Sequence, residues 1–243
     1  MLYQINGLIS SGINLNKTSR VPTIEELYSE GPHLAAYSYE IGNSNLKSEN
    51  GYGIEIFTYL KSEDVFLMFT FFRNDFSYYI TPRNTGNINS QTLLPVYQTE
   101  GVKALFMGVE SYFELSINEY FSLTNSLSYT YGEFKNSNNP LPSIPPLKNL
   151  IQLKYNYENV IAGFNTEITA SQNRVDNFEV PTSGYIIFNS FIQYSLQTNS
   201  LIHNISLSAE NLLNKEYKNH LSRVKIIMPE AARNLKLSYR LYF

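Results

Sequence analysis

The side chains best suited to metal or proton chemistry are three histidines, His33, His203 and His220, since neutral imidazole is the commonest transition-metal ligand. His33 and His220 fall in segments rich in Pro and Asn that read as external loops. There they could gather a metal or a small metal complex. No His-x-His or His-x-x-x-His spacing joins them, so a pair of surface histidines without a ligand is the competing reading. His203 stands beside a short turn and reads as structural. Cysteine is absent, which removes thiol nucleophiles, disulfides and thiolate-held metals together. The chain has no G-x-S-x-G elbow, and no H-E-x-x-H helix or Gly-rich phosphate loop. No catalytic residue is assigned, and no cofactor is expected.

Composition narrows the class further. Of 243 residues only 16% are Asp, Glu, Lys or Arg, against about 25% in ordinary soluble domains. Tyr (20) and Phe (15) are abundant instead. A net charge of −3 and the lack of any Lys/Arg stripe exclude a nucleic-acid partner. So many aromatics also argue against disorder. The opening residues Met1–Asn6 lack the basic and apolar regions of a signal peptide. The run Val65–Phe69 is far too short for a transmembrane helix, which needs roughly 20 apolar residues.

The elements that must position these residues are strands. Residues repeat in steps of two, the mark of strands with unlike faces. Leu235, Leu237, Tyr239, Leu241 and Phe243 alternate with Asn234, Lys236, Ser238 and Arg240. The same pattern covers 105–115, 121–131, 151–157 and 160–171, and more loosely 3–15, 50–61, 65–80, 185–196 and 201–211. Segment 65–80 is apolar on both faces, which leaves its orientation open. About ten strands result, most long enough for a tilted bilayer crossing of 9–11 residues. Short turns at 62–64, 118–119, 158–159 and 197–200 alternate with long segments at 16–47, 81–98, 134–147, 175–183 and 212–231. That asymmetry predicts an all-β, antiparallel transmembrane β-barrel of the bacterial outer membrane. A soluble β-sandwich is the alternative, and strand length and low charge argue against it. Glu110, Glu114, Lys154, Glu167, Lys236 and Arg240 are expected to face the lumen. Arg73 and Asp75 are expected there or near an interface, since Arg or Lys toward mid-depth lipid costs about 2–4 kcal/mol.

Three stretches carry a resemblance. Arg20-Val21-Pro22-Thr23-Ile24-Glu25-Glu26-Leu27 leads through Gly31-Pro32-His33 to Gly42-Asn43 and Leu46–Glu49. Asn211-Leu212-Leu213-Asn214-Lys215-Glu216-Tyr217 stands near the end. Pro229–Asn234, with Arg233, precedes a last strand closing on Phe243. In this order they resemble "R-x-P-T-x-x-E-L", "G-N-x-x-L-x-x-E", "N-L-L-N-x-x-Y" and "P-x-x-G-R-x" of the C-terminal barrel portion of TonB-dependent outer-membrane receptors. Ala232 departs from the usual Gly. The Gly-Pro-His loop and Asn219-His220 look most like the zinc-uptake branch.

The resemblance implies a C-terminal fragment, residues 1–243, of a roughly 22-stranded barrel, with the plug domain, TonB box and signal peptide lying outside it. It implies energy-coupled uptake of a metal complex, siderophore or similar scarce nutrient. The partners it implies are the TonB complex through the missing N-terminal region, outer-membrane lipid, a small ligand, and the barrel assembly machinery through the strand ending in Phe243. A self-contained small barrel acting as a protease, a phospholipase or a passive pore is the alternative function.

Overall fold

The structure is a computed structural model that describes residues 1–243. Thirteen strands belong to one sheet. They are β1 (Leu2–Gln4), β2 (Ile9–Arg20), β3 (Glu30–His33), β4 (Ser38–Ile41), β5 (Glu49–Lys61), β6 (Val65–Ile88), β7 (Pro95–Ser116), β8 (Phe121–Phe134), β9 (Lys148–Tyr157), β10 (Val160–Thr169), β11 (Tyr185–Thr198), β12 (Leu201–Glu210) and β13 (Asn234–Tyr242). One helix, α1 (Ile24–Tyr28), occupies the predicted turn after Pro22. The wall runs β1-β2-β5-β6-β7-β8-β9-β10-β11-β12-β13, antiparallel throughout, and β1 does not pair with β13. The sheet is open. The small β3–β4 hairpin stands off this path and runs β4 parallel to the upper part of β7, Tyr39 opposite Val96.

Only 27 of 243 residues are buried, so this is a wall rather than a packed globule. Following the register across the strands gives two continuous faces. One holds Leu235, Leu237, Tyr239 and Leu241 of β13, then Leu207, Ile192, Phe164, Leu153, Leu123, Leu115 and Val65 on successive strands. We call it the outer face. The other holds Lys236, Arg240, Glu167, Lys154, Glu110 and Glu114, the residues expected to line a lumen. Leu235 and Leu237 are 68% and 73% exposed. Apolar groups in such a row gain by meeting hydrocarbon.

The register also orients β6. Leu67, Phe69 and Phe71 join the outer face, while Phe66, Met68, Phe72 and Phe76 point inward. The inward rings lie over glycines of the neighbouring strands. Phe72 stands opposite Gly108, Phe76 opposite Gly51, Phe57 opposite Gly12 and Phe191 opposite Gly163. A Cβ on Gly108 would fall 2.6 Å from the Phe72 ring and closer still to the Tyr129 carbonyl. Glycine lets each ring lie flat on the sheet, burying apolar area without projecting far inward.

Two expected loop boundaries are corrected. Segment 81–98 is not a long loop, because β6 and β7 run 24 and 22 residues and pair as far as Ile88 and Pro95. Prolines at 82 and 95 suggested a break, but each occupies a ladder position. Beyond the 9–11 residues that cross a bilayer, this hairpin projects roughly 35–45 Å. At the other end, strand 3–15 is interrupted at residues 5–8 and continues to Arg20. The Asn6 side chain accepts the backbone N–H groups of Leu8 and Ile9 there, both at 2.8 Å, closing a turn inside the expected strand.

Candidate functional site at the external loops

The long connections gather at one end of the sheet, and polar clasps hold them. In the first, Arg20 at the end of β2 donates to both carboxylate oxygens of Glu26 at 2.8 and 2.9 Å, and to Glu49 at 3.3 Å. Glu49, buried at the start of β5, also accepts the Ile80 N–H at 3.0 Å. Thr23 caps α1 reciprocally with Glu26, giving the short helix a fixed start. The Arg20 hydrogen bonds hold the Glu26 carboxyl below the usual carboxylate range. Gly42 and Asn43 donate to Ser29 and Glu26 carbonyls at 2.7 and 2.8 Å. A Cβ on Gly42 would sit 2.6 Å from the Tyr28 nitrogen, so the chain passes α1 too closely for any other residue. The charged and glycine positions of the first motif are thus one mechanical unit.

The second motif is another. Asn211, 3% exposed, takes a left-handed backbone at φ 51°. Its amide donates to the Lys215 and Ala231 carbonyls at 2.8 and 3.3 Å and accepts the Lys215 N–H at 2.8 Å. Asn214, also left-handed at φ 54°, accepts the Arg233 N–H at 3.0 Å. Asparagine suits both positions because it tolerates this conformation and bonds its own backbone. Leu212 donates its N–H to the Phe188 carbonyl at 2.8 Å, while the Leu213 side chain is exposed.

Between the clasps lies an open cleft. It is bounded by the upper part of the β6–β7 hairpin (Pro82, Asn84, Tyr97), the 135–147 segment (Pro142, Ser143), the 170–184 segment (Asp176–Val180) and the 211–233 segment (His220–Ile226). The 135–147 segment folds onto the inner face, where Leu141 and Ile144 pack with Ala104 and Phe134 against Phe76, Tyr79 and Phe106. Arg83 fastens the 170–184 segment by two bonds to Asp176 at 2.8 and 2.9 Å, its guanidinium 4.4 Å from the Phe134 ring centre.

His220, itself buried, lines the cleft. Its Nδ1 meets the Thr182 hydroxyl at 2.9 Å and its Nε2 lies 3.2 Å from Glu179. Lys225 reaches Glu179 at 3.0 Å and donates to the His220 carbonyl at 2.8 Å. Burial works against the Glu179 charge. His220, Lys225 and the Ser143 N–H outweigh it and hold the carboxyl down to about 2. His33 is exposed and apart from this group, 3.1 Å from Glu40, which also receives Arg223 at 2.9 Å. Burial likewise opposes the Glu40 charge, but Arg223 and His33 leave it below its ordinary value. No three His, Asp or Glu side chains converge as a metal site. His203 is on the outer face, bonded to the Tyr239 hydroxyl at 2.8 Å.

Arg83, Asp176, Glu179, Arg223 and Lys225 escaped sequence reasoning. Arg83 and Asp176 are 93 positions apart, and Arg223 and Glu40 are 183 apart. No local spacing announces pairs so distant.

Residues 5–212 match the family described as TonB dependent receptor-like, beta-barrel. Among solved structures, the chain is similar to the copper transporter OprC, with TM-score 0.79 and 19% identity over 96% of this chain and 37% of that one. It is similar to the siderophore receptor PirA from Acinetobacter baumannii, with TM-score 0.70 and 17% identity over 99% and 40%. It also resembles the FrpB iron transporter from Neisseria meningitidis, with TM-score 0.72 and 17% identity over 99% and 38%. At these identities the likeness is one of fold, and the chain spans well under half of each relative. The family's members are outer-membrane transporters rather than enzymes. With the family match over most of its length, the open antiparallel meander and the two clasped motifs, the chain belongs to the TonB-dependent receptor β-barrels of the bacterial outer membrane.

Proposed function

We propose that this chain is the C-terminal part of a larger barrel, which a plug and a TonB box complete, and that the whole protein takes up a metal chelate in an energy-coupled way. The open sheet supports the first part. Two unpaired strand edges in lipid would leave backbone groups unsatisfied at several kcal/mol each, so further strands are needed to join β1 to β13. A copper transporter and siderophore receptors among the relatives support the second part. The observation that carries the ligand class is the cleft itself. It is bounded by four segments and has Tyr97 and Arg223 at its edge, the guanidinium 5.0 Å from the ring centre.

A bare ion needs several converging protein ligands, whereas a chelate brings its own coordination and asks for aromatic and cationic contacts. His33 and His220 then act by holding Glu40 and Glu179, and so by shaping the loops around the chelate. The terminal Phe243 serves recognition by the assembly machinery. Uptake of iron-55 chelates and of free copper-64 by cells expressing the full-length gene tests this reading. Chelate uptake that collapses when the proton gradient is discharged is expected. Uptake that persists without the gradient, or that favours the free ion, overturns it.

A further inference from the structure

Midway up the outer face of β8, where lipid is driest, stands a side-chain amide. Below it on the same face is Phe121, whose ring centre lies 5.0 Å from that of Tyr155. Above it are Tyr129 and Tyr131. Tyr131 donates its hydroxyl to Glu133 at 2.6 Å and lies 3.8 Å from the Arg174 guanidinium, charges that mark the water boundary. Asn125 is equidistant in sequence from Phe121 and Tyr129. At about 3.3 Å per residue and a tilt near 40°, each interval rises roughly 10 Å, which sets Asn125 near the middle of an apolar band about 25 Å tall. Asn149 of β9, in register with Leu127, shares its face. No other side-chain amide stands on the outer face from β7 to β13.

The two amides meet, but they do not satisfy each other. Asn125 donates through Nδ2 to the Asn149 Oδ1, and its contact with the Leu150 carbonyl is a long 3.5 Å. Asn125 Oδ1 and Asn149 Nδ2 have no partner in the chain. Turning both amides over would exchange their roles and still leave one donor and one acceptor. Both residues are only half-buried. Hydrocarbon offers no hydrogen bond, so facing lipid alone the pair would hold two desolvated, unpaired polar groups. Polar groups at this depth are costly and mark contacts with other protein.

A patch with one free donor and one free acceptor complements itself. A two-fold axis along the membrane normal keeps every residue at its own depth, so it brings the donor of one copy to the acceptor of the other, twice over. Acyl chains carry neither group, and an unrelated protein would need both at the same height. We propose that the receptor pairs with a second copy of itself through the outer face of β8 and β9. Asn149 Nδ2 of each copy donates to Asn125 of the partner subunit, and Leu127 and Ile151, beside the amides on the same face, pack around the axis. The pairing needs only that the outer face meets lipid, and it stands or falls separately from the transported ligand.

The test uses the full-length receptor reconstituted in phosphatidylcholine vesicles, with donor and acceptor dyes on separate batches. The dyes are placed at Asn136→Cys, an exposed position above β8 in a chain that has no cysteine of its own. Energy transfer is followed as the protein is diluted with lipid. Transfer above the level of random proximity, reversed by unlabelled receptor, is expected. The double variant Asn125→Leu, Asn149→Leu removes both amides together and leaves neither unpaired. It should weaken association about ten-fold, as two membrane hydrogen bonds imply. Leu127→Trp keeps the face apolar but sets a bulky ring between the copies, and it too should weaken association. Heat-modifiable migration in electrophoresis reports which variants are folded. Wild-type transfer no higher than random proximity overturns the proposal. So does unchanged association in either variant that folds.

Discussion

Along β13 every apolar residue is followed by a polar one, and the two sets face opposite sides with no exception from Asn234 to Arg240. Along β6, Phe66 to Phe72 is apolar on both sides except for Thr70, and both Arg73 and Asp75 then emerge on the outer side. The strands share one period and one sheet, yet they solve different problems. β13 separates lipid from water by alternation alone. β6 keeps its inward rings flat by setting Phe72 and Phe76 against Gly108 and Gly51, so the glycines supply what alternation does not. A side chain's face is thus decided by its own residue on β13, and by its cross-strand partner on β6.

The largest expected effect breaks the simpler strand. In the full-length receptor, Leu237→Arg places a cation on the lipid side at a cost of about 2–4 kcal/mol if near mid-depth. Its heat-resistant, folded fraction in outer membranes should fall well below that of Ser238→Arg. Equal behaviour of the two would reverse the face assignment.

Next in size is a test of the partner rule on the other strand. Gly108→Ala drives a methyl into the Phe72 ring and the Tyr129 carbonyl, and overpacking of this kind costs about 1–3 kcal/mol. Urea titration of membrane-reconstituted protein should show it, with partial recovery in Gly108→Ala combined with Phe72→Leu. Failure of the second change to recover any stability would mean that the ring is not the obstacle.

The loops behave by a third rule, in which charge rather than pleat fixes position. Glu179 is held to about 2 in the folded chain, below its ordinary 4.5. A carboxyl depressed on folding contributes stability that is complete above its unfolded value and is lost as pH falls through the folded one. Hydrogen exchange across residues 176–182 should therefore quicken, after correction for intrinsic rates, between pH 4.5 and 2. Glu179→Gln should remove that pH dependence and raise exchange at pH 7. The smallest expected change is Thr23→Ala, which removes the cap of α1 for about 1 kcal/mol. It should be visible as faster proteolysis at residues 22–29 with the wall unaffected.

These differences explain what the residues alone could reveal. Strands such as β9 and β13 announce themselves because each side chain's environment follows from its own position. The orientation of β6 was unreadable because it depends on Gly51 and Gly108, residues of other strands. The hairpin extension past Thr81 was hidden by Pro82 and Pro95, which break a helix or a central strand but fit an edge strand, as β6 becomes beyond Tyr78, and the first position of a strand, as in β7. In the loops, the Arg20–Glu26 clasp spans six positions and leaves a local signature. The Glu179–Lys225 pair spans 46 and leaves none.

Sequence separation also orders assembly in time. Closing a short turn such as Asn199-Ser200 between β11 and β12 costs little chain entropy, and each further strand adds to a neighbour already in place. The bond from Arg223 to Glu40 joins residues 183 positions apart, and it forms only once the strands between them have lined up. Hairpins zip first and the contacts among the external loops lock last. A barrel halted partway through insertion would hold a finished wall beneath an unformed mouth.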